Sequence, residues 1–300
     1  MPDASDLTID VYDGVQDIQH DNERRERKLV ADWYSSADFA DQQTDQLSRR
    51  ENGTGGWFLQ HAEYLHWCNH ANSTLLCPGI PGSGKSMMVA TIVDDLHTQF
   101  AAQEDVAVAY LYCNFNRQVE QDLRRMLATL VRQLFQEQAQ LPDSVTALYK
   151  THRDRATRPS TDELKRVLHS LVSSYKRVFL VIDALDECGN TEQQRDHLLD
   201  ELFVIQKLKS SNVNVLATTR FIPDILQQFS THPRIEIRAD KGDIGVYLDN
   251  RMSGLARFVS RNAQLQEEIK RQIIDAADGM LVGETSLRAA LCADSVTGSY

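Results

Sequence analysis

The sequence contains no apolar run long enough to cross a bilayer and no basic cluster suited to nucleic acid. Its apolar stretches stay short of the ~18 residues that a membrane helix needs. The net charge is -11, and the basic segment 23–28 mixes its arginines and lysine with two glutamates at helical spacing. A protein that binds nucleic acid through phosphates needs a clustered basic face. We therefore expect neither a membrane partner nor a nucleic-acid partner.

Targeting signals and a cysteine framework are also missing. The first residues have neither the basic flank and apolar core of a secretory signal nor the arginines of a transit peptide. We therefore expect a cytoplasmic protein. The cysteines are odd in number and scattered, which favours reduced, mostly buried thiols. They are Cys68, Cys77, Cys113, Cys188 and Cys292.

What the sequence does contain is a complete phosphate-binding loop, G-x-x-x-x-G-K-[ST], at residues 79–86. Its glycines let the backbone turn amide hydrogens inward, and a helix that begins at Lys85 points its positive end at the phosphates. We expect Lys85 to reach the β- and γ-phosphates of a nucleoside triphosphate. The predicted nucleotide-binding residues are Gly79, Ile80, Pro81, Gly82, Ser83, Gly84, Lys85, Ser86 and Met87. A glycine-rich turn that merely contains Lys-Ser is the alternative, but a predicted strand and a predicted helix flank this motif.

A second motif begins with five apolar residues, 178–182, and ends at Asp183. The apolar run predicts a buried central parallel strand, and the pattern is that of a Walker B element. Asp183 and Ser86 are the predicted Mg²⁺ ligands. Asp186 and Glu187 follow in the next loop, where a carboxylate could orient or deprotonate the attacking water. The alternative is that these two acids only begin the surface of the next helix.

A third buried segment, 212–220, ends in polar residues and Arg220. Ligands bind at the carboxyl ends of strands in open α/β sheets, so Arg220 could sense the γ-phosphate. A surface salt bridge is the alternative role for this side chain. Further strands are predicted at 73–77 and 106–113, with an alternating edge strand at 234–238 and helices between them. This pattern predicts an α/β fold with a doubly wound parallel sheet.

These motifs resemble the NACHT branch of the STAND signalling NTPases, and more closely the fungal nephrocystin-3-like N-terminal NACHT modules. The resemblance rests on residues 79–86, on 178–187 with its small Ala184, and on 216–223, and it extends over about 29–280. It implies a five-stranded parallel core of AAA+/STAND type, in which strand 213–219 lies between the phosphate-loop strand and the Walker B strand. In that family the module sits between an effector domain and ankyrin or WD40 repeats. Nucleotide exchange there gates oligomerisation.

The resemblance and the composition together predict a domain organisation. The first 50 residues carry 12 Asp and Glu against 6 Lys and Arg. We expect an acidic mobile tail at 1–28, an N-terminal helical segment at 29–72, the P-loop NTPase core at 73–240, the start of a helical lid at 241–280 and an irregular tail at 281–300. The sequence departs from the family pattern after residue 280, and no repeats at a period of roughly 33 or 40 residues occur. The chain is therefore expected to be an isolated switch module or a truncated gene product.

Two classes of function fit these observations. The first is a signalling switch that binds ATP or GTP with Mg²⁺, hydrolyses it slowly and associates with itself through the NACHT core. The second is a constitutive P-loop enzyme such as a small-molecule kinase, but the separation of almost a hundred residues between Lys85 and Asp183 favours the switch. A degenerate scaffold that binds nucleotide without turnover remains a third reading. The absence of a guanine-reading Asn-Lys-x-Asp sequence argues mildly for ATP over GTP.

Overall fold

The computed structural model describes residues 21–36, 39–116, 121–136, 138, 140–189, 191–208, 212–252 and 262–276. The predicted tail at 281–300 and residues 1–20 of the predicted acidic tail lie outside these ranges. Residues 21–34 form helix α1, so the boundary drawn at residue 28 lies inside a helix. Among the described residues, no helix is both long enough and apolar enough to cross a membrane.

The centre of the fold is a parallel sheet whose strands are apolar almost throughout. The strands are β1 (Thr74–Pro78), β2 (Val106–Tyr112), β3 (Arg177–Asp183) and β4 (Val213–Thr219). They are ordered β1-β4-β3-β2, and every pair is parallel. The prediction that strand 213–219 lies between the phosphate-loop strand and the strand ending at Asp183 is therefore confirmed. This order puts the carboxyl ends of β1, β4 and β3 side by side.

The prediction of a five-stranded sheet is wrong, because the sheet in the described residues has four strands. Segment 233–238 runs beside β1 but makes a single bridge, between Arg234 and Leu76. The next bridge would need an N–H from Pro78, which proline does not have. The segment still donates to Pro78 through the Ile237 N–H, at 2.7 Å. The predicted alternation holds, since Ile235 and Ile237 are buried and Glu236 is exposed.

Helices cover both faces of the sheet. They are α1 (21–34), α2 (Ala40–Arg49), α3 (Gly56–Leu59), α4 (Ala62–Asn69), α5 (Lys85–Phe100), α6 (Leu123–Gln136), α7 (Asp143–Arg155), α8 (Thr161–Ser174), α9 (Glu192–Gln206), α10 (Pro223–Gln228), α11 (Lys241–Met252) and α12 (Ala263–Ala276). Alternate residues of β3 supply two separate cores. Leu180 and Ile182 pack with α1 and α6–α9, whereas Phe179 and Val181 pack with α3–α5. A sheet with both faces covered is what a doubly wound fold requires.

Two cysteines correct the expectation of reduced thiols. Cys113 and Cys188 form a disulfide with Cα atoms 5.0 Å apart, although 75 residues separate them in sequence. The physical reason is the strand order, since β2 and β3 are neighbours and the residues that follow them meet. Cys68 and Cys77 are free and buried, as expected. Cys292 lies outside the described residues.

Candidate nucleotide-binding site

The phosphate loop joins the end of β1 to the start of α5 at the carboxyl edge of the sheet. Gly82 and Gly84 have φ angles of +77° and +91°. These angles lie in the left-handed region that side chains other than glycine's rarely enter. Gly84 is also the N-cap residue immediately before α5, so its conformation turns the chain directly into the helix. The helix N-terminus therefore faces the loop, as the motif predicts.

Gly79 is required for a different reason, which is a close approach of two backbone segments. A Cβ atom added at Gly79 would lie 2.3 Å from the carbonyl oxygen of Ile237 and 2.6 Å from Oγ of Ser83. The loop is thus pressed against the segment that runs beside β1. A side chain at this position would have to push that segment away.

Ser83 carries an unsatisfied hydroxyl inside the loop. The residue is only 3% exposed, and its Oγ has no hydrogen-bond partner among the residues that the structure describes. A buried polar group without a partner costs free energy. A phosphate oxygen that entered the loop would supply the missing acceptor, so the loop fits an anionic ligand.

Lys85 folds back over the loop that precedes it. Its Nζ donates to the carbonyl oxygens of Gly79 and Ile80, at 2.9 and 2.8 Å. Burial lowers the pKa of Lys85, and the charges of Asp186 and Asp183 act in the opposite direction. An ionised phosphate is a stronger acceptor for an ammonium group than these neutral carbonyls. The Lys85 ammonium group can therefore exchange these carbonyls for the oxygens of a phosphate in the loop.

Asp183, at the end of β3, is 2% exposed and accepts a hydrogen bond from Thr218 Oγ1 at 2.7 Å. Burial raises the pKa of Asp183, whereas hydrogen bonds with Ser86 and Thr218 favour the charged form. The two predicted Mg²⁺ ligands, Ser86 and Asp183, are therefore in contact. Both offer oxygen atoms, which are the ligands that Mg²⁺ prefers.

The acids after β3 form a separate short turn. Leu185–Glu187 is a single 3₁₀ turn, and α9 begins only at Glu192. The alternative in which Asp186 and Glu187 start the next helix is therefore wrong. Oε2 of Glu187 accepts the backbone N–H of Phe115 at 3.0 Å, so this carboxylate is tied to the chain that follows β2.

Arg220 pairs with both of these acids. Its backbone N–H donates to Asp186 Oδ1 at 3.1 Å, and its Nε donates to the other oxygen of the same carboxylate. Its Nη2 lies 3.8 Å from Oε1 of Glu187. The side chain of Asp186 is 3% exposed and that of Arg220 is 43% exposed. The salt bridge considered for Arg220 is thus present, and its partners are the two predicted catalytic acids.

A cavity of about 510 Å³ opens beside the loop at Ser83, Gly84 and Met87. Its other walls come from residues 49–57, from residues 237–240 and from α11. The other lining residues are Arg49, Arg50, Glu51, Thr54, Gly55, Trp57, Met88, Thr91, Ile237, Arg238, Ala239, Asp240, Asp243, Ile244, Tyr247 and Arg251. Small-molecule pockets commonly measure about 300–1,000 Å³, so this cavity is large enough for a nucleoside.

A family model described as "Nephrocystin 3, N-terminal" matches residues 53–220, which is more than half of the chain. The chain belongs to this family. The matched range contains the phosphate loop and every predicted site residue up to Arg220. The resemblance to nephrocystin-3-like NACHT modules is confirmed, and the chain is a P-loop nucleotide-binding module.

This nephrocystin-3-like chain is also 24% identical, over 239 residues, to vegetative incompatibility protein HET-E-1 of Podospora anserina. The aligned part covers 74% of the chain but only 17% of that relative. Among solved structures, the Aeropyrum pernix ORC2 protein in ADPNP–ADP complexes matches with 14% identity and a TM-score of 0.46, covering 80% of this chain and 59% of that one. Domain III of the Thermotoga maritima replication initiation protein DnaA matches with 15% identity and a TM-score of 0.40, covering 84% and 90%. Likenesses of this size say nothing about what the chain binds.

Sequence reasoning missed two contributors to the nephrocystin-3-like site. Thr218 links β4 to β3, because its hydroxyl donates to Asp183 and accepts the N–H of Ala184 at 2.9 Å. The signal was a pair of threonines at the carboxyl end of a buried strand. Asp243 of α11 accepts the N–H of Gly55 at 2.9 Å, across 188 residues of sequence. Burial raises the pKa of Asp243, and no local pattern marks this contact.

Proposed function

We propose that this nephrocystin-3-like chain is a switch module that binds ATP or GTP with Mg²⁺, hydrolyses it slowly, and thereby controls self-association or effector signalling. One observation carries the proposal: the loop presents the unsatisfied hydroxyl of Ser83 and the ammonium group of Lys85 beside the contacting pair Ser86 and Asp183. A triphosphate satisfies the first two groups, and its metal ion suits the pair. The name of HET-E-1 as a vegetative incompatibility protein favours a signalling role over a metabolic one.

Binding would proceed by exchange of partners at the loop. Lys85 leaves the carbonyls of Gly79 and Ile80 and reaches the β- and γ-phosphates, while Ser83 donates its hydroxyl to a phosphate oxygen. Ser86 and Asp183 would hold Mg²⁺, directly or through its water shell. The ion supplies charge neutralisation across the phosphate oxygens when it is bound.

Slow hydrolysis follows from the contacts of Glu187. In the proposed hydrolysis, Glu187 orients or deprotonates the attacking water. One of its oxygens accepts the Phe115 N–H and the other lies 3.8 Å from Nη2 of Arg220, so the carboxylate is held in one orientation and must turn to serve a water placed elsewhere. Arg220 would move from Asp186 towards the γ-phosphate, which offers it a comparable charge. Each turnover therefore requires a rearrangement of the acid pair.

The switching element in this proposal is the cavity beside the loop. A base and ribose in it would contact both the 49–57 segment and α11, which are already linked by the Gly55–Asp243 hydrogen bond. The two helices of the proposed lid pack on each other through Ile244 and Leu248 of α11 and Ile269 and Ile273 of α12. A ligand that touches both walls stabilises the arrangement in which they are close. The positions of α11 and α12 would thus depend on which nucleotide is bound.

The deciding experiment identifies the ligand and its fate. The purified chain is denatured, released nucleotide is identified by chromatography, and the chain is reloaded with radiolabelled ATP or GTP in Mg²⁺ for single-turnover hydrolysis. We expect one purine nucleotide to bind in Mg²⁺ and to be hydrolysed over minutes or longer. A chain that binds neither nucleotide contradicts the proposal.

A nucleotide-binding scaffold without turnover is the second candidate. The Phe115 hydrogen bond and the nearby Arg220 guanidinium favour it, since a carboxylate held permanently in one orientation cannot turn to serve a water placed elsewhere. The same experiment separates the two candidates. Tight binding with no diphosphate produced over hours would support the scaffold.

A further inference from the structure

The disulfide lies directly against the predicted catalytic acid. Cys113 follows β2, and Cys188 is the residue after Glu187. Both cysteines are buried, with 7% and 3% exposure. The N–H of Cys113 also donates to the carbonyl oxygen of Asp183 at 3.2 Å. The covalent bond thus joins the chain that follows β2 to the chain that follows β3 at the carboxyl edge of the sheet.

This bond closes a small ring that includes the Glu187 carboxylate. Phe115, two residues after Cys113, donates its N–H to Oε2 of Glu187 at 3.0 Å. Cys188 N–H donates to the carbonyl oxygen of Leu185 at 3.2 Å, which holds the other side of the ring in its turn. The side chain of Phe115 is exposed and therefore does not anchor its own segment in the core. Hydrogen bonds from the N–H of Cys113 to Asp183 and from the N–H of Asn114 to Gln121 Oε1, at 3.1 Å, also hold this segment, and the disulfide is the covalent restraint on the Phe115–Glu187 contact.

We propose that Cys113 and Cys188 are a reversible redox pair that controls hydrolysis through Glu187. With the bond formed, the Phe115 N–H stays on the carboxylate and hydrolysis is held slow. With the bond reduced, Phe115 can move away, and the Glu187 carboxylate is free to turn towards the attacking water. This inference rests on the proposed hydrolytic function and adds its regulation.

The chemistry is thiol–disulfide exchange with a low-molecular-weight disulfide such as oxidised glutathione. One protein thiolate attacks the small disulfide, forms a mixed disulfide and releases one small thiol. The second protein thiolate then attacks the protein sulfur of the mixed disulfide and releases the second small thiol. The two cysteines lose two electrons and two protons in total, and the small disulfide gains them. Reduction by dithiothreitol is the reverse exchange.

The test compares one preparation in two redox states. The full chain is equilibrated with oxidised glutathione or with dithiothreitol, and alkylation with peptide mapping reports which cysteines are bonded. Nucleotide affinity and single-turnover hydrolysis are then measured on each state. We expect a Cys113–Cys188 peptide in the oxidised state, equal nucleotide affinity in both states, and hydrolysis at least several-fold faster after reduction.

Matched variants separate control of Glu187 from mere stabilisation. Cys188→Ser and Cys113→Ser should each hydrolyse at the reduced rate under both conditions, whereas Cys68→Ala, which alters a buried free thiol elsewhere, should keep the response. In Glu187→Gln the residual hydrolysis should not respond to redox state, although the disulfide still forms. A disulfide with only a structural role would change the melting temperature without this pattern.

Several outcomes would overturn the inference. Equal hydrolysis in both states, slower hydrolysis after reduction, or a bond from either cysteine to Cys292 instead would each refute it while leaving the proposed nucleotide hydrolysis intact. A chain that binds nucleotide but hydrolyses none in either state refutes the proposed hydrolysis, and the redox control with it.

Discussion

Gly79 and Ile237 approach so closely that no side chain fits between them. A Cβ at position 79 would lie 2.3 Å from the Ile237 carbonyl oxygen. The phosphate loop is therefore held in place by a segment that begins more than 150 residues later in the chain. That segment also leads into the cavity wall at Arg238, Ala239 and Asp240, so the loop and the cavity share one support.

Gly79→Ala should destabilise the fold and weaken nucleotide binding together. The added methyl group meets backbone, which cannot turn aside as a flexible side chain would, and overpacking of this kind costs roughly 1–3 kcal/mol. Denaturant unfolding and a nucleotide titration measure the two effects. Gly56→Ala is the matched control, because a Cβ there meets nothing within 4 Å. Equal behaviour of the two variants would show that the close approach is not important.

Lys85→Ala should abolish nucleotide binding and leave the fold intact. The lost ammonium group donates to the carbonyls of Gly79 and Ile80 in the loop, and the core does not depend on it. Nucleotide at 100 times its dissociation constant should stabilise the parent chain by ~2.7 kcal/mol. Unfolding with and without nucleotide should show this gain in the parent and in Lys176→Ala, which alters a lysine that is 77% exposed. A full gain in Lys85→Ala would disprove the assignment of the site.

Glu187→Gln should separate binding from turnover. The amide keeps the shape of the side chain but cannot accept a proton from water, and general-base catalysis is typically worth a factor on the order of 100 or more. Single-turnover hydrolysis in reducing buffer should fall by that order while nucleotide affinity stays constant. The control is Glu192→Gln, an exposed acid at the start of α9. Unchanged hydrolysis in Glu187→Gln would move the catalytic role to Asp186 or to another residue.

Asp243→Asn should remove a pH dependence of folding stability. Burial raises the pKa of Asp243, so between the unfolded and the folded pKa the folded chain binds a proton that the unfolded chain does not. Its contribution to stability is therefore present at low pH and is lost as pH rises through the folded pKa. Denaturant unfolding at a series of pH values should show a smaller loss in Asp243→Asn, whose side-chain oxygen can still accept the Gly55 N–H. Exposed Asp94→Asn should keep the parent's slope, and a parent slope retained by Asp243→Asn would contradict the prediction.

Features that depend on consecutive residues could be read from the sequence. The phosphate loop, the apolar run ending at Asp183 and the polar end of strand 213–219 are continuous in the chain, and each occurs where it was predicted. The cap of α8 is equally local, because the Ser160 hydroxyl accepts the Glu163 N–H three residues away. Backbone geometry and hydrogen bonding over a few residues determine such features, so their patterns are specific.

Only the tertiary structure decided which of these elements meet. The Thr218–Asp183 hydrogen bond, the Gly55–Asp243 link and the Cys113–Cys188 disulfide join residues 35, 188 and 75 positions apart. Strand order and helix packing bring them together, and neither is written in the local pattern of polar and apolar residues. The predicted edge strand at 234–238 is a second example. Its alternation was predicted correctly, but its neighbour β1 contains Pro78, which has no N–H to complete the ladder.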